Sequence, residues 1–185
     1  MAVSETDLPG VVSIFIGPQA APSFAAHGQT LRLVGRNLNV LTIWFLKSPD
    51  YFGEEFSLQV LKESPGIGPH LDLFPMYPSL DYGVVPTDEE VRKQVARGLK
   101  LARESWQSRE YDLIVLDEIL TCCEQGLIPW EDLLQLLDTR PGYMHVTLTG
   151  TSCPETISRH AATLITFDTT RHHLDTLATR KGFDR

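Results

Sequence analysis

Short apolar runs rich in β-branched residues alternate along the chain with stretches whose apolar positions recur every three or four residues. The first run, VVSIFI at 11–16, is stopped by Gly17-Pro18 and predicts a strand buried on both faces. Beyond it, Phe24, His27, Leu31, Val34 and Leu38 fall at helical spacing, so an amphipathic helix is expected from Ser23 until Asn37 or Asn39 ends it. NVLTIWFL at 39–46 predicts a second strand, EEFSLQVLK at 54–62 a helix closed by the Pro/Gly-rich ESPGIGPH, and 71–74 a third strand. From Pro75 to Pro86 the prolines, glycine and tyrosines predict an irregular loop, a place where function often resides.

Thr87-Asp88-Glu89-Glu90 has the spacing of a capping box and predicts a helix to about Gln107, with Val91, Val95, Leu99, Ala102 and Trp106 on its apolar stripe and Arg92, Lys93, Arg97, Lys100 and Arg103 mostly elsewhere. YDLIVL at 111–116 is a strand with Asp117-Glu118 at its carboxyl end. Pro129 opens a further helix with acids in its first turn, and Arg140-Pro141-Gly142 ends it. HVTL at 145–148 is a strand, Ser152-Cys153-Pro154-Glu155 starts a short helix, and 163–167 is the last strand. Strands alternating with helices imply right-handed crossovers and one α/β domain, a mostly parallel sheet of five or six strands between two helical layers. Ligands of such sheets bind beyond the carboxyl ends of the strands. That directs attention to 17–23, 47–54, Asp117-Glu118 and 149–154.

Composition narrows the function classes. At 185 residues and 42% hydrophobic, the chain can bury roughly 70% of its unfolded surface and needs no disulfide or structural metal. Sixteen Lys+Arg against 24 Asp+Glu give a net charge of −8, which argues against a nucleic-acid or anionic-membrane binder but leaves room for a small anion in a local pocket. Three cysteines, two of them adjacent, make no disulfide framework. Acids at Glu5 and Asp7 stand where a signal peptide would carry bases, and no apolar run is long enough for a membrane span, so a cytoplasmic protein is expected.

The run YDLIVLDEILTCCEQGLIPWEDLLQLLDTRPGYMHVTLTG at 111–150 resembles the strand, acidic pair, helix, R-P motif and T-G strand end of the ATP:corrinoid adenosyltransferase family. FLKS with Gly53-Glu54 is similar to that family's F-x-K-G followed by G-E, and RHHLD at 171–175 to a basic-His-x-F-D run near its C-terminus. The resemblance implies a three-layer P-loop NTPase-like fold and transfer of a 5′-deoxyadenosyl group from ATP to the cobalt of a reduced corrinoid. It also implies Mg-ATP held by Gly17, Ser23, Lys47, Asp117 and Glu118, with Asp117 and Glu118 on the Mg²⁺. A corrinoid or a partner would face Tyr77 and Tyr82, and a homodimer is implied as well.

The departures from the family pattern are as informative as the matches. The family's phosphate loop G-x-G-K-G-K-T-T corresponds here to Gly17-Pro18-Gln19-Ala20-Ala21-Pro22-Ser23-Phe24. Such a loop works by pointing consecutive backbone N–H groups at the phosphates and adding a lysine. Pro18 and Pro22 have no N–H, Ala20 and Ala21 resist the positive φ that glycine tolerates, and Pro22 stands at the lysine position. One lost charge-assisted contact removes on the order of 1.5–3 kcal/mol. The family's T-G-R is Thr149-Gly150-Thr151, and its G-F-x-W loop corresponds to 76–84, which offers Tyr77 and Tyr82 but no tryptophan.

Each candidate also has a plainer structural role. Asp117-Glu118 could cap a neighbouring helix or bond Ser23, and Lys47 could be a salt-bridged lysine. Cys122-Cys123 read as buried thiols, His27 as a core or interface histidine, and the adjacent His172 and His173 as mainly solvent-facing. The expectation that follows is a divergent relative that has lost ATP-dependent adenosyl transfer and acts as a binding, assembly or regulatory protein. The alternative is an active adenosyltransferase with an altered phosphate loop.

Overall fold

A computed structural model describes residues 9–18, 20–48, 53–77 and 86–171. Six strands, β1 (Val12–Ile16), β2 (Val40–Phe45), β3 (Leu71–Met76), β4 (Leu113–Asp117), β5 (His145–Gly150) and β6 (Thr163–Thr166), form one sheet in the order β3-β2-β4-β5-β1-β6. Every neighbouring pair is parallel. The connections are helical: α1 (Ala21–Val34), α2 (Gly53–Lys62), α3 (Asp88–Ser108), α4 (Ile119–Glu124), α5 (Trp130–Asp138) and α6 (Glu155–Ser158). The fold is the expected three-layer α/β arrangement.

Alternation along the strands sorts two cores onto opposite faces. Ile14, Leu41, Ile43, Ile114, Leu116, Val146 and Leu148 pack with α3, α4 and α5, whereas Phe15, Val40, Trp44, Leu113 and Val115 meet α1 and α2. The central strands are buried on both faces, which is why they read as continuous apolar runs rather than alternating ones. At the edge, β3 runs on to Met76 through Pro75, two residues past its predicted end; an edge strand tolerates a proline whose missing N–H needs no ladder partner. The short helix α4 was not anticipated, since only six residues separate the acidic pair from Gln125.

The buried face of α1 departs from the predicted stripe. Phe24 and Leu31 are 55% and 46% exposed and Leu38 is also exposed, while Ser23, Ala26, His27, Thr30 and Val34 are buried. The sheet beneath α1 explains the rotation. Buried Asp117, Thr147 and Thr149 lie on the strands beneath it, and polar residues of α1 meet that surface: Gln29 accepts from Thr147 Oγ1 at 2.6 Å, His27 Nε2 lies 3.6 Å from Asp117 Oδ2, and Ser23 Oγ donates to Glu118 at 3.3 Å. In α3 the predicted stripe holds: Val95, Leu99, Ala102 and Trp106 are buried, and the Thr87–Glu90 capping box forms in both directions. Cys122 and Cys123 are buried thiols, with burial pushing Cys123 up to about 12. Tyr82, His172 and His173 lie outside the described residues.

Candidate functional site

The carboxyl ends of β1, β2, β4 and β5 bring together five predicted residues. Gly17 follows β1, Ser23 lies in the first turn of α1, Lys47 follows β2, Asp117 ends β4, and Glu118 leads into α4. Gly17 has φ 151°, its N–H donates to the Gly150 carbonyl at 3.1 Å, and a Cβ there would lie 2.7 Å from the Phe167 carbonyl oxygen. This glycine is therefore required by the close approach of the chain after β6. The β1–α1 connection enters the helix through Ala20, whose side chain makes no cap, with Pro22 in the first turn.

Asp117 is fully buried, and both of its carboxylate oxygens are engaged. Lys47 Nζ donates to Oδ2 at 2.6 Å and Thr149 Oγ1 donates to Oδ1 at 2.6 Å. His27 Nε2 lies 3.6 Å from the same Oδ2, and accepts a hydrogen bond from the Trp44 indole N–H at 2.9 Å. A ring nitrogen that accepts from an indole carries no proton, so His27 is neutral with its proton on Nδ1. Burial lowers the His27 pKa in agreement, against the pull of Asp117. Burial opposes the charge on Asp117, yet the Lys47 ammonium and the hydrogen bonds from Lys47 and Thr149 hold its carboxyl below the ordinary range. Lys47, itself buried, also stands 3.9 Å from Glu54 at the start of α2.

Glu118 adopts a left-handed backbone, φ 65°, where a non-glycine residue is strained. Its N–H donates to Thr149 Oγ1 at 2.8 Å, its Oε1 accepts from Ser23 Oγ at 3.3 Å, and its Oε2 accepts from Thr121 Oγ1 at 2.6 Å. Burial raises its pKa, with the Thr121 bond working the other way. Thr149 thus ties Asp117 to the Glu118 amide, and Ser23 ties α1 to β4. Tyr77 is half-buried beyond the end of β3. Among the described residues no group of three or more His, Cys, Asp or Glu is placed to hold a metal ion. Thr149 falls within the strand-end stretch 149–154 that the sequence points to, whereas Trp44 and Thr121 carry no sequence signal for the site.

A model of the ATP:corrinoid adenosyltransferase BtuR/CobO/CobP family matches residues 9–184. The chain belongs to this corrinoid adenosyltransferase family. The corrinoid adenosyltransferase CobA of Salmonella typhimurium is 25% identical over 176 residues, 90% of this chain and 80% of that protein. The corrinoid adenosyltransferase of Escherichia coli K12 is 25% identical over 180 residues, 91% and 82% of the two chains. An uncharacterized protein of Nostoc, all2391, is 27% identical over 157 residues, and there the chain covers 80% of itself but spans 41% of the relative. Among solved structures, the flagellar accessory protein FlaH from Methanocaldococcus jannaschii superposes with a TM-score of 0.50 at 16% identity, covering 86% of this chain and 72% of that one. The fold of this adenosyltransferase relative is P-loop NTPase-like. No helix among its described residues is long and apolar enough to cross a membrane.

Proposed function

We propose that this member of the corrinoid adenosyltransferase family no longer performs ATP-dependent adenosyl transfer and serves as a cytoplasmic binding, assembly or regulatory protein. The carrying observation is the internal neutralisation of Asp117. The family's acidic pair would hold Mg²⁺, but here one carboxylate is fully buried with its oxygens on Lys47 and Thr149, and the other accepts from Ser23 and Thr121. A cation arriving at Asp117 would have to displace an ammonium 2.6 Å away. Lys47 spends its charge on that carboxylate and so does not replace the phosphate-loop lysine. Pro22 removes an amide from the turn where a triphosphate would seat. Mg-ATP does not fit these residues as they stand.

Isothermal titration of the protein with Mg-ATP tests this, together with an assay for adenosylated product from a reduced corrinoid. The expected result is no binding in the micromolar range and no product. Micromolar affinity accompanied by product overturns the proposal.

One observation favours the second reading, an active adenosyltransferase with an altered loop. Lys47 arrives from β2 at the same place as Ser23, Asp117 and Glu118, with its ammonium at the strand ends. On that reading Glu118→Ala abolishes turnover while leaving the fold intact, and a variant with unchanged turnover removes it.

A further inference from the structure

The two edges of the sheet are built differently. β3 is guarded: Asp72 puts a charge on it, Pro75 has no N–H to offer, and Lys62 donates to the Leu71 carbonyl at 3.0 Å. β6 has none of these devices. Its sequence is TLIT, without a charge or a proline, and every one of its residues is exposed. Leu164 and Ile165, 48% and 41% exposed, lie on opposite faces of the sheet, because they stand in register with Ile14 and Phe15 of the two cores. Among the described strands β6 is hydrogen-bonded to β1 alone. An uncharged, apolar strand with an open edge is a template for another strand.

The ladder fixes which main-chain groups that edge presents. The Ile16 carbonyl of β1 accepts from the Phe167 N–H at 2.7 Å, whereas the next N–H, of Gly17, turns the other way to the Gly150 carbonyl. Ile14 and Ile16 therefore face β6. In a parallel ladder such a residue bonds the two neighbours of the residue it stands beside. Ile14 stands beside Leu164 and Ile16 beside Thr166, so Thr163, Ile165 and Phe167 turn their main-chain groups to β1, and Leu164 and Thr166 turn theirs outward. Residues two apart are what an antiparallel strand takes up as successive hydrogen-bonded pairs. A second copy, turned about a two-fold axis through Ile165, offers the same two residues in the reverse order. Leu164 then meets the second copy's Thr166, and Thr166 its Leu164, each pair exchanging both main-chain bonds, with Ile165 against Ile165 between them.

We propose that two copies of this chain pair antiparallel through β6, joining their sheets into one about a two-fold axis at Ile165. Closure selects a second copy as the occupant. Once the β6 edges are joined, the sheet ends in β3 on both sides, and those edges are guarded, so growth stops at two copies. A head-to-tail contact of β6 with β3 would meet Pro75 and the Lys62–Asp72 pair, and would leave one β6 edge open. The two-fold pairing also opposes no charge to a charge, since TLIT faces TLIT. So short a strand makes a small interface, and the dimer is weak and concentration-dependent. The inference does not depend on whether nucleotide binds at the strand ends.

Sedimentation velocity on the full chain from about 1 to 500 µM tests it. The mass is expected to rise from that of one chain toward that of two and no further. Thr166→Pro removes an outward N–H and leaves the ladder to β1 intact, so this variant is expected to keep its melting curve and stay monomeric. Ile165→Lys and Ile165→Glu each set like charges against one another on the axis and are expected to stay monomeric alone. An equimolar mixture of these two is expected to associate about fivefold or more tighter than either, because unlike charges then meet across the axis. Val60→Ser, at an exposed apolar position on α2, leaves association unchanged. A chain that is monomeric throughout, assembly beyond two copies, a dimer that survives Thr166→Pro and Ile165→Lys or is lost with Val60→Ser, or a mixture no tighter than its components overturns the proposal.

Discussion

Two lysine–aspartate pairs of similar length sit at opposite ends of this sheet. At the carboxyl end, Lys47 and Asp117 meet at 2.6 Å with side-chain exposures of 10% and 0%; at the amino end, Lys62 and Asp72 meet at 2.5 Å with 37% and 41%. Geometry alone would rank them together. Their surroundings separate them: the first pair is sealed under α1 with His27, Trp44 and Thr149, whereas the second is open to water and shared with the Tyr111 hydroxyl at 2.9 Å. A buried charge that loses its partner cannot recover hydration, so the same bond is structurally obligatory at one end and dispensable at the other.

Lys47→Met should therefore show the largest effect. It leaves Asp117 charged, fully buried and short of its closest partner, and a loss of about 3–5 kcal/mol is expected in urea denaturation. The double variant Lys47→Met/Asp117→Leu should recover most of that loss, because it removes the stranded charge as well. A Lys47→Met protein as stable as the parent would mean that the pair contributes no more than its exposed counterpart.

Next comes His27→Phe, which keeps the ring but leaves the buried Trp44 indole N–H without an acceptor, at about 1–3 kcal/mol. His27 also sets a pH dependence. Its folded pKa lies below the unfolded 6.5, so below pH 6.5 the unfolded chain binds more protons and stability falls with acidification until the lowered pKa is passed. In His27→Phe the decline that sets in below about pH 6.5 should flatten. Asp117, depressed from 3.8, adds a second loss only below about pH 4. Thermal melts at stepped pH separate the two.

Glu118 works in the opposite sense. Its folded pKa is raised above 4.5, so its ionised form is less stable in the fold than in the open chain, and stability attributable to this residue grows as pH falls through the raised value. Glu118→Gln should stabilise the protein at neutral pH by about 1 kcal/mol, a gain that fades on acidification. Destabilisation at neutral pH would instead mean that the Ser23 and Thr121 bonds outweigh the cost of burying the charge.

The contrast also marks what could be read from residues alone. All six strands and the large helices were legible because they rest on local pattern: apolar runs for β1, β2 and β4, the capping box for α3, and acids after Pro129 for α5. The convergence of Ser23, Lys47, Asp117 and Glu118, up to 95 positions apart, was legible because each falls at or just beyond the carboxyl end of a strand in a parallel sheet, the place the family motif also marks. What stayed hidden was which face α1 buries. Helical spacing of Phe24 and Leu31 suggested an apolar contact, but the decision was made by Asp117, Thr147 and Thr149 on strands far along the chain. Nor does spacing reveal that Lys47 spends its charge on Asp117; that depends on the β2–β4 register setting Trp44 beside Asp117, so that Lys47, three residues on, reaches it past the strand end.

The smallest effect belongs to the open pair, and salt is the means of isolating it. Lys62→Met removes an ammonium that bridges Asp72 and the Leu71 carbonyl at 3.0 Å, yet both side chains are more than a third exposed, so the released carboxylate regains water. The expected loss is about 1 kcal/mol or less at low salt, shrinking toward zero in molar salt as exposed charges are screened. Tyr111 keeps its hydrogen bond to Asp72, so the local structure has a second tie to hold it. The Lys47→Met loss should change little over the same salt range, because ions do not reach Asp117. If both losses respond to salt alike, the burial contrast is not what separates the two ends of the sheet; if only the Lys62 loss does, the seal around Asp117 is the property that distinguishes them.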